Sequence, residues 1–149
     1  MEKINIFCFG FGQVAKNFIK KINSKNTDIC LTITSRKNSG KKVFDGIKYE
    51  SFQFSEDSFD KNLIKYLESS NYILVSIAPV DGEDIVIKNF HNILKVKKFK
   101  WLTYLSATSV YGNHDGEWVD EKSETNPTST TGTYRLKAER SWMDLAEKQ

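Results

Sequence analysis

Tyr134 and Lys137 stand three residues apart in the stretch TGTYRLKAE. A tyrosine hydroxyl beside an ammonium group is a general acid/base, because the cation favours the phenolate and brings proton transfer towards neutral pH. Residues three apart on a helix are neighbours, so this pair can touch. Near the other end of the chain, FGFGQVA sets Gly10, Gly12 and Ala15 in a G-x-G-x-x-A pattern. That spacing suits an anion. Gly10 permits a tight turn, Gly12 lets a phosphate approach the backbone, and the free N–H groups of a following helix, those of Gln13 and Val14 among them, favour negative charge. Ala15 is small enough for that helix to pack closely on a strand.

These residues need a scaffold, and the hydrophobic pattern supplies one. INIFCF, residues 4–9, is a continuous apolar run bounded by glycine and predicts a buried strand. GQVAKNFIKKINSK follows as a helix with Val14, Phe18 and Ile22 on one face. Further strands are predicted at 29–34, 46–54, 72–78 and 100–106. Helices are predicted around Phe59, Leu63 and Leu67, over 83–96, and from about Thr133 to the end, with a long polar loop from Gly112 to Thr130. His91 falls beside the apolar stripe of the third helix and reads as a surface residue. Strands alternating with helices imply one α/β domain spanning 1–149, a doubly wound parallel sheet of the Rossmann type with strand order 3-2-1-4-5.

In that scaffold the glycine pattern joins the first strand to the first helix, which is the context a dinucleotide fingerprint requires; a glycine turn without ligand is the alternative. The end of the second strand discriminates between dinucleotides. An NAD site usually carries an acid there to bind the ribose hydroxyls. This chain reads TITSRKNSG, with Ser35, Arg36 and Lys37 in that place. A guanidinium matches a 2′-phosphate by bidentate hydrogen bonds, so NADP is favoured over NAD, unless Arg36 and Lys37 are ordinary loop charges. Ala78, at the end of the fourth predicted strand, is small enough to let the backbone pass a cofactor ribose.

Composition limits the rest. With 39% apolar and 28% charged residues, the chain suits a soluble globular domain. It has no apolar run long enough to span a membrane and no signal peptide at its start, so a cytoplasmic location is expected. A net charge of +3 is too small to argue for nucleic acid, and KVKKFK at 95–100 reads as a solvated helix end. Cys8 and Cys30 lie in apolar strands and are expected to be reduced and buried. Two histidines and no C-x-x-C pattern give a metal site no support.

The glycine turn, LSATSVYG at 105–112, YRLKAE, and SVYGNHDGEWVDEKSETNP together resemble the extended and atypical short-chain dehydrogenase/reductase superfamily, also described as NAD-dependent epimerase/dehydratase-like. The resemblance covers nearly the whole chain. It implies a Rossmann domain, a nicotinamide cofactor, and a C-terminal substrate domain beyond the residues present here. Active members of that family carry a serine or threonine three residues before the valine of VYG, where it binds a substrate oxygen. Here that position is Ala107, flanked by Ser106 and Thr108. Adjacent strand side chains point to opposite faces, so Ser106 can substitute only if the backbone bends.

The family's tyrosine and lysine are four apart, and no register restores them. Anchored on Glu139, the lysine slot holds Arg135 and the tyrosine slot holds Thr131. Anchored on Tyr134, the lysine slot is Ala138; anchored on Lys137, the tyrosine slot is Thr133. Two readings follow. One is an NADP-dependent oxidoreductase or sugar epimerase/dehydratase whose rearranged site uses Ser106, Tyr134 and Arg135. The other is a non-catalytic NADP(H)-binding module that acts through a partner. In either, the 100–106 strand would end the sheet with an open edge, and Trp101, Leu102, Tyr104 and Leu105 with Trp142, Met143 and Leu145 would leave apolar surface for self-association or for a second polypeptide.

Overall fold

The computed structural model describes residues 3–25 and 27–147. Its strands are β1 (Ile4–Phe9), β2 (Ile29–Ser35), β3 (Gly40–Phe44), β4 (Ile47–Gln53), β5 (Tyr72–Val75) and β6 (Trp101–Tyr104). Its helices are α1 (Gln13–Asn23), α2 (Leu63–Ser69), α3 (Ile85–Val96) and α4 (Thr130–Glu147), with a short 3₁₀ turn at Thr108–Val110. The strands form one sheet in the order β3-β4-β2-β1-β5-β6. Every pair is parallel except β3–β4, which is an antiparallel hairpin. Taken without β3, this is the expected order, so the doubly wound Rossmann-type sheet is observed with one strand added at its edge.

The added strand has a local cause. Asp45 and Gly46 both hold positive φ, 49° and 78°, at the centre of the turn that pairs Phe44 with Ile47. Positive φ at both central residues is the type I′ geometry that matches strand twist, and Asp-Gly favours it. Lys41 and Lys42 then lie on the outermost strand, where charge discourages edge-to-edge pairing.

The chain divides into two compact units: Met1–Ile77 with Lys97–Tyr104, and Ala78–Val96 with Leu105–Gln149. The first holds the whole sheet with α1 and α2. Phe18 of α1 stacks on Trp101 of β6 at 5.5 Å, and Tyr66 of α2 meets Phe52 of β4 at 4.9 Å. The strand register puts Trp101 in line with Tyr72 and Ile6, whereas Phe52 is in line with Thr34. Side chains alternate along each strand. Helix α1 therefore covers the face carrying Ile6 and Leu31, and α2 the face carrying Phe7 and Thr32. Phe7, Cys8, Phe9, Leu63, Leu67 and Ile73 are fully buried between these layers.

The inward face of α1 differs from the expected one. Ala15 and Ile19 are fully buried, while Val14 is 59% exposed, because the inward stripe runs through 15 and 19 and Val14 is turned about 100° away from it. Phe59 is outside α2 and pairs with Phe54 in an isolated bridge. Cys8 is buried, as expected, but Cys30 is only half-buried. No helix among the described residues is long and apolar enough to cross a membrane.

In the second unit α3 and α4 pack on each other. Asp84 joins them: its Oδ1 accepts the Val86 and Ile87 N–H groups at 2.9 and 3.0 Å, capping α3, and its Oδ2 accepts Trp142 Nε1–H at 2.7 Å. Trp142 and Leu145 are consequently buried, contrary to the expectation that they add exposed surface, and Met143 alone of that trio is exposed.

Candidate functional site

The turn between β1 and α1 is built from two glycines of different character. Gly10 holds φ +85°, a conformation L side chains rarely adopt, and a Cβ there would lie 2.8 Å from Ser76 Oγ. Its N–H donates to Thr34 Oγ1 at 2.9 Å, which fixes the start of the turn against β2. Ser76 Oγ donates in turn to the Phe9 carbonyl at 3.1 Å. Gly12, at the N-cap of α1, is different. Its φ and ψ are ordinary for any residue, and a Cβ built on it would meet nothing within 4 Å. No side chain caps the helix, and its first turn carries no acid. Gly12, Gln13 and Val14 are all exposed. The result is open space before a helix N-terminus whose first N–H groups have no intrahelical partner.

Phe11, between the two glycines, is anchored from the hairpin side. Its ring meets Phe44 of β3 at 5.3 Å and Tyr49 of β4 at 5.4 Å. The hairpin missing from the sequence reading thus supports the glycine turn.

The end of β2 is shaped by its own serines. Lys37 N–H donates to Ser35 Oγ at 3.2 Å, a local turn that directs Arg36 outward into solvent. Two residues on, Ser39 Oγ accepts the Gln53 N–H at 3.0 Å and donates to Asp60 Oδ2 at 2.7 Å. The Ser39 hydroxyl, joined by the Asn62 backbone N–H, holds the Asp60 carboxyl below its ordinary range. Among the described residues no carboxylate pairs with Arg36. Sequence reading missed Thr34 and Ser39, since a threonine or serine beside a strand end has no distinguishing pattern.

The remaining residues singled out from sequence lie in the second unit. Strand β6 stops at Tyr104, and Ala107, extended at φ −145° and ψ 152°, leads into the 3₁₀ turn. Ala107 itself thus stays extended, and the backbone turns only from Thr108 onward. Ala107 and Thr108 are exposed, and Ser106 Oγ is buried without a hydrogen-bond partner among the described residues. A buried hydroxyl left unpaired costs about 1–3 kcal/mol, so its position needs a reason. Arg135 reaches the same strand end, where Nη1–H donates to the Leu105 carbonyl at 2.8 Å. Tyr134 goes elsewhere. Asp81 and Gly82 form a second turn of positive φ, 46° and 81°, and a Cβ on Gly82 would lie 3.0 Å from Tyr134 Cε1. The tyrosine ring lies against that turn, one helical turn before the buried Ala138. The Arg135 guanidinium thus reaches the carbonyl of the residue before Ser106, and the Tyr134 ring lies against Gly82. Ala78 is exposed at the start of this unit. Among the described residues no group of three or more His, Cys, Asp or Glu could hold a metal ion.

No protein-family model matches the chain, and no curated protein matches it. Solved structures do. One is a conserved protein of unknown function from Silicibacter pomeroyi, 27% identical with a TM-score of 0.74 over 94% of this chain and 48% of that one. A second is the UDP-glucuronic acid 4-epimerase from Bacillus cereus in complex with NAD, 16% identical with a TM-score of 0.74 over 98% of this chain and 52% of that one. A third is the UDP-N-acetylglucosamine 4-epimerase from Methanobrevibacter ruminantium in complex with UDP-N-acetylmuramic acid, 18% identical with a TM-score of 0.75 over 99% of this chain and 52% of that one. The chain spans about half the length of these structures and shares the fold of that half.

Proposed function

We propose that this chain binds a nicotinamide dinucleotide at the β1–α1 turn and prefers NADP, as the nucleotide-binding part of a short-chain dehydrogenase/epimerase-like protein. The observation that carries the reading is Gly12. A glycine with ordinary φ and ψ, open space where its Cβ would be, and an uncapped helix behind it is what a pyrophosphate needs to reach backbone N–H groups. Gln13 and Val14 supply the next N–H groups. Ser35 and Arg36 at the end of β2 suit a 2′-phosphate, and the exposed guanidinium has no competing carboxylate among the described residues. The NAD complex of the Bacillus cereus epimerase supports the same cofactor class. Bound there, a nicotinamide supplies hydride transfer; this chain's residues bind and orient it.

The experiment is a calorimetric titration with NADPH and NADH. Hydrogen bonds to a charged group contribute about 1.5–3 kcal/mol, so NADPH should bind about ten- to a hundredfold more tightly. Arg36→Asp should reduce or reverse that preference. Equal affinities would remove the NADP assignment, and no binding of either would remove the reading as a whole.

A second reading, a cofactor-binding module without chemistry of its own, is favoured by the packing of Tyr134 on Gly82. An acid/base tyrosine must present its hydroxyl to substrate, and here one edge of the half-buried ring, Cδ1 and Cε1, is taken up by the Gly82 turn. Ser106 and Arg135 are then the groups we assign to any rearranged polar site. Measurable NADPH oxidation by this chain with nucleotide sugars, lost in Tyr134→Phe, would overturn the second reading.

A further inference from the structure

Two features stand apart from the glycine turn. The first is Trp118, which is 101% exposed. It does not lie on a loose segment. The Glu117 N–H donates to the His114 carbonyl at 2.9 Å across a turn in which Asp115 and Gly116 hold positive φ. His114 Nε2 lies 3.1 Å from both the Tyr111 and Glu124 carbonyls and bonds across the loop. Asp120 Oδ1 accepts the Lys122 N–H at 2.9 Å and the Ser123 hydroxyl at 3.0 Å. An indole is thus held in water by an ordered loop. Asp115, Glu117, Asp120, Glu121 and Glu124 surround it in sequence, with Lys122 as the only base between them.

The second feature is a cavity of about 500 Å³ in the first unit, beside the β3–β4 hairpin. Its lining includes Cys30, Val43 and Tyr66, and the strand register puts Lys41 and Lys48 on that same face. Glu50, its one acid, faces Lys41 at 3.9 Å. Among the described residues no carboxylate pairs with Lys48. Lysines guarding an edge strand are common. Lysines around an apolar cavity of this volume also define a partner: one that offers a large apolar side chain among carboxylates.

We propose that the Trp118 loop of one copy of this chain docks in the hairpin cavity of a second copy. Size, polarity and charge all agree. A tryptophan buries about 150–250 Å² on docking and is over-represented among residues that dominate interfaces. The carboxylates flanking Trp118 meet the Lys41 and Lys48 rim, which favours encounter and is screened by salt. Loop and cavity are different surfaces, so each copy offers one half of the contact and accepts the other, either reciprocally in a two-fold pair or head-to-tail in a ring or chain. The proposal does not depend on cofactor binding.

Sedimentation of the full chain at several concentrations tests it, with circular dichroism confirming that each variant is folded. The wild type should associate with rising concentration and return to monomer at high salt. Trp118→Ala should be monomeric throughout, and so should the double charge reversal Lys41→Glu with Lys48→Glu. Mixing those two variants is decisive, because each retains the half that the other lacks. The mixture should form a one-to-one complex that grows no further. If either variant fails to fold, acrylamide quenching of the wild type replaces it, and one tryptophan should become protected as concentration rises. A wild type that stays monomeric overturns the proposal. So does a charge-reversal variant that still associates, since the tryptophan would then be adhering to another surface, and so does a mixture that remains monomeric.

Discussion

Replacing Gly12 separates what the β1–α1 turn does for folding from what it does for binding. At φ −79° and ψ −169°, Gly12 has a backbone that alanine adopts freely, and its Cβ would meet nothing within 4 Å. At a helix N-cap alanine is a poorer residue than glycine by less than about 1 kcal/mol. For a chain of this size that is a Tm change of about 2–4 °C at most. The new methyl group nevertheless projects into the open space before the helix, where a phosphate oxygen would have to sit. Losing one charged hydrogen bond costs about 1.5–3 kcal/mol, or tenfold and more in affinity, and Gly12→Val should abolish binding. Thermal unfolding and a nucleotide titration on the same preparations check both halves. Gly10→Ala is the contrast: φ +85° strains any L residue by about 1–2 kcal/mol, and its Cβ would lie 2.8 Å from Ser76 Oγ, so stability and binding fall together. A Gly12→Val variant that binds NADPH like the wild type would refute the reasoning, because the phosphate would then lie elsewhere.

Other expectations concern single contacts. Gly82→Ala should destabilise the protein clearly, since it strains φ +81° and drives a methyl group to 3.0 Å from the Tyr134 ring; Tyr134→Phe should change stability little, and chemical denaturation compares the two. Asp84→Ala removes a helix cap and the acceptor of a buried indole N–H, and should cost about 2–4 kcal/mol by urea unfolding. Burial pushes the Cys8 thiol up to about 12 from 9.0. The folded state then keeps a proton that the unfolded state releases above pH 9, so this contribution is full below pH 9 and is lost as pH rises towards 12, by about 1.4 kcal/mol per pH unit at most. Unfolding curves across that range should show the decline, and Cys8→Ala should flatten it.

Much of the fold is legible in the chain because its signals are local. The apolar runs at 4–9 and 29–34 become buried parallel strands, and the glycine pattern joins strand to helix as expected. The missed strand β3 also had a signal, the Asp45–Gly46 pair between Val43-Phe44 and Ile47, which marks a hairpin; the same pair recurs at Asp81–Gly82 and Asp115–Gly116. Helical spacing alone placed Val14 inward, because Val14 with Phe18 and Ala15 with Ile19 are both helical stripes and spacing does not tell which of them faces the sheet. What sequence could not reach is contact between distant segments. Thr34 holding the Gly10 N–H, Arg135 reaching the Leu105 carbonyl and Tyr134 resting on Gly82 depend on side-chain direction across 24, 30 and 52 positions respectively, which no periodicity encodes.

The central claim is tested most directly by following backbone amide resonances of the isotopically labelled chain during titration with NADP⁺. The account predicts that the N–H signals of residues 10–15 shift first and most, joined by those of residues 35–37, and that NAD⁺ moves the first group at higher concentration while leaving the second near its free position. Shifts confined to other segments, or none at concentrations where dinucleotide-binding domains are saturated, would contradict it.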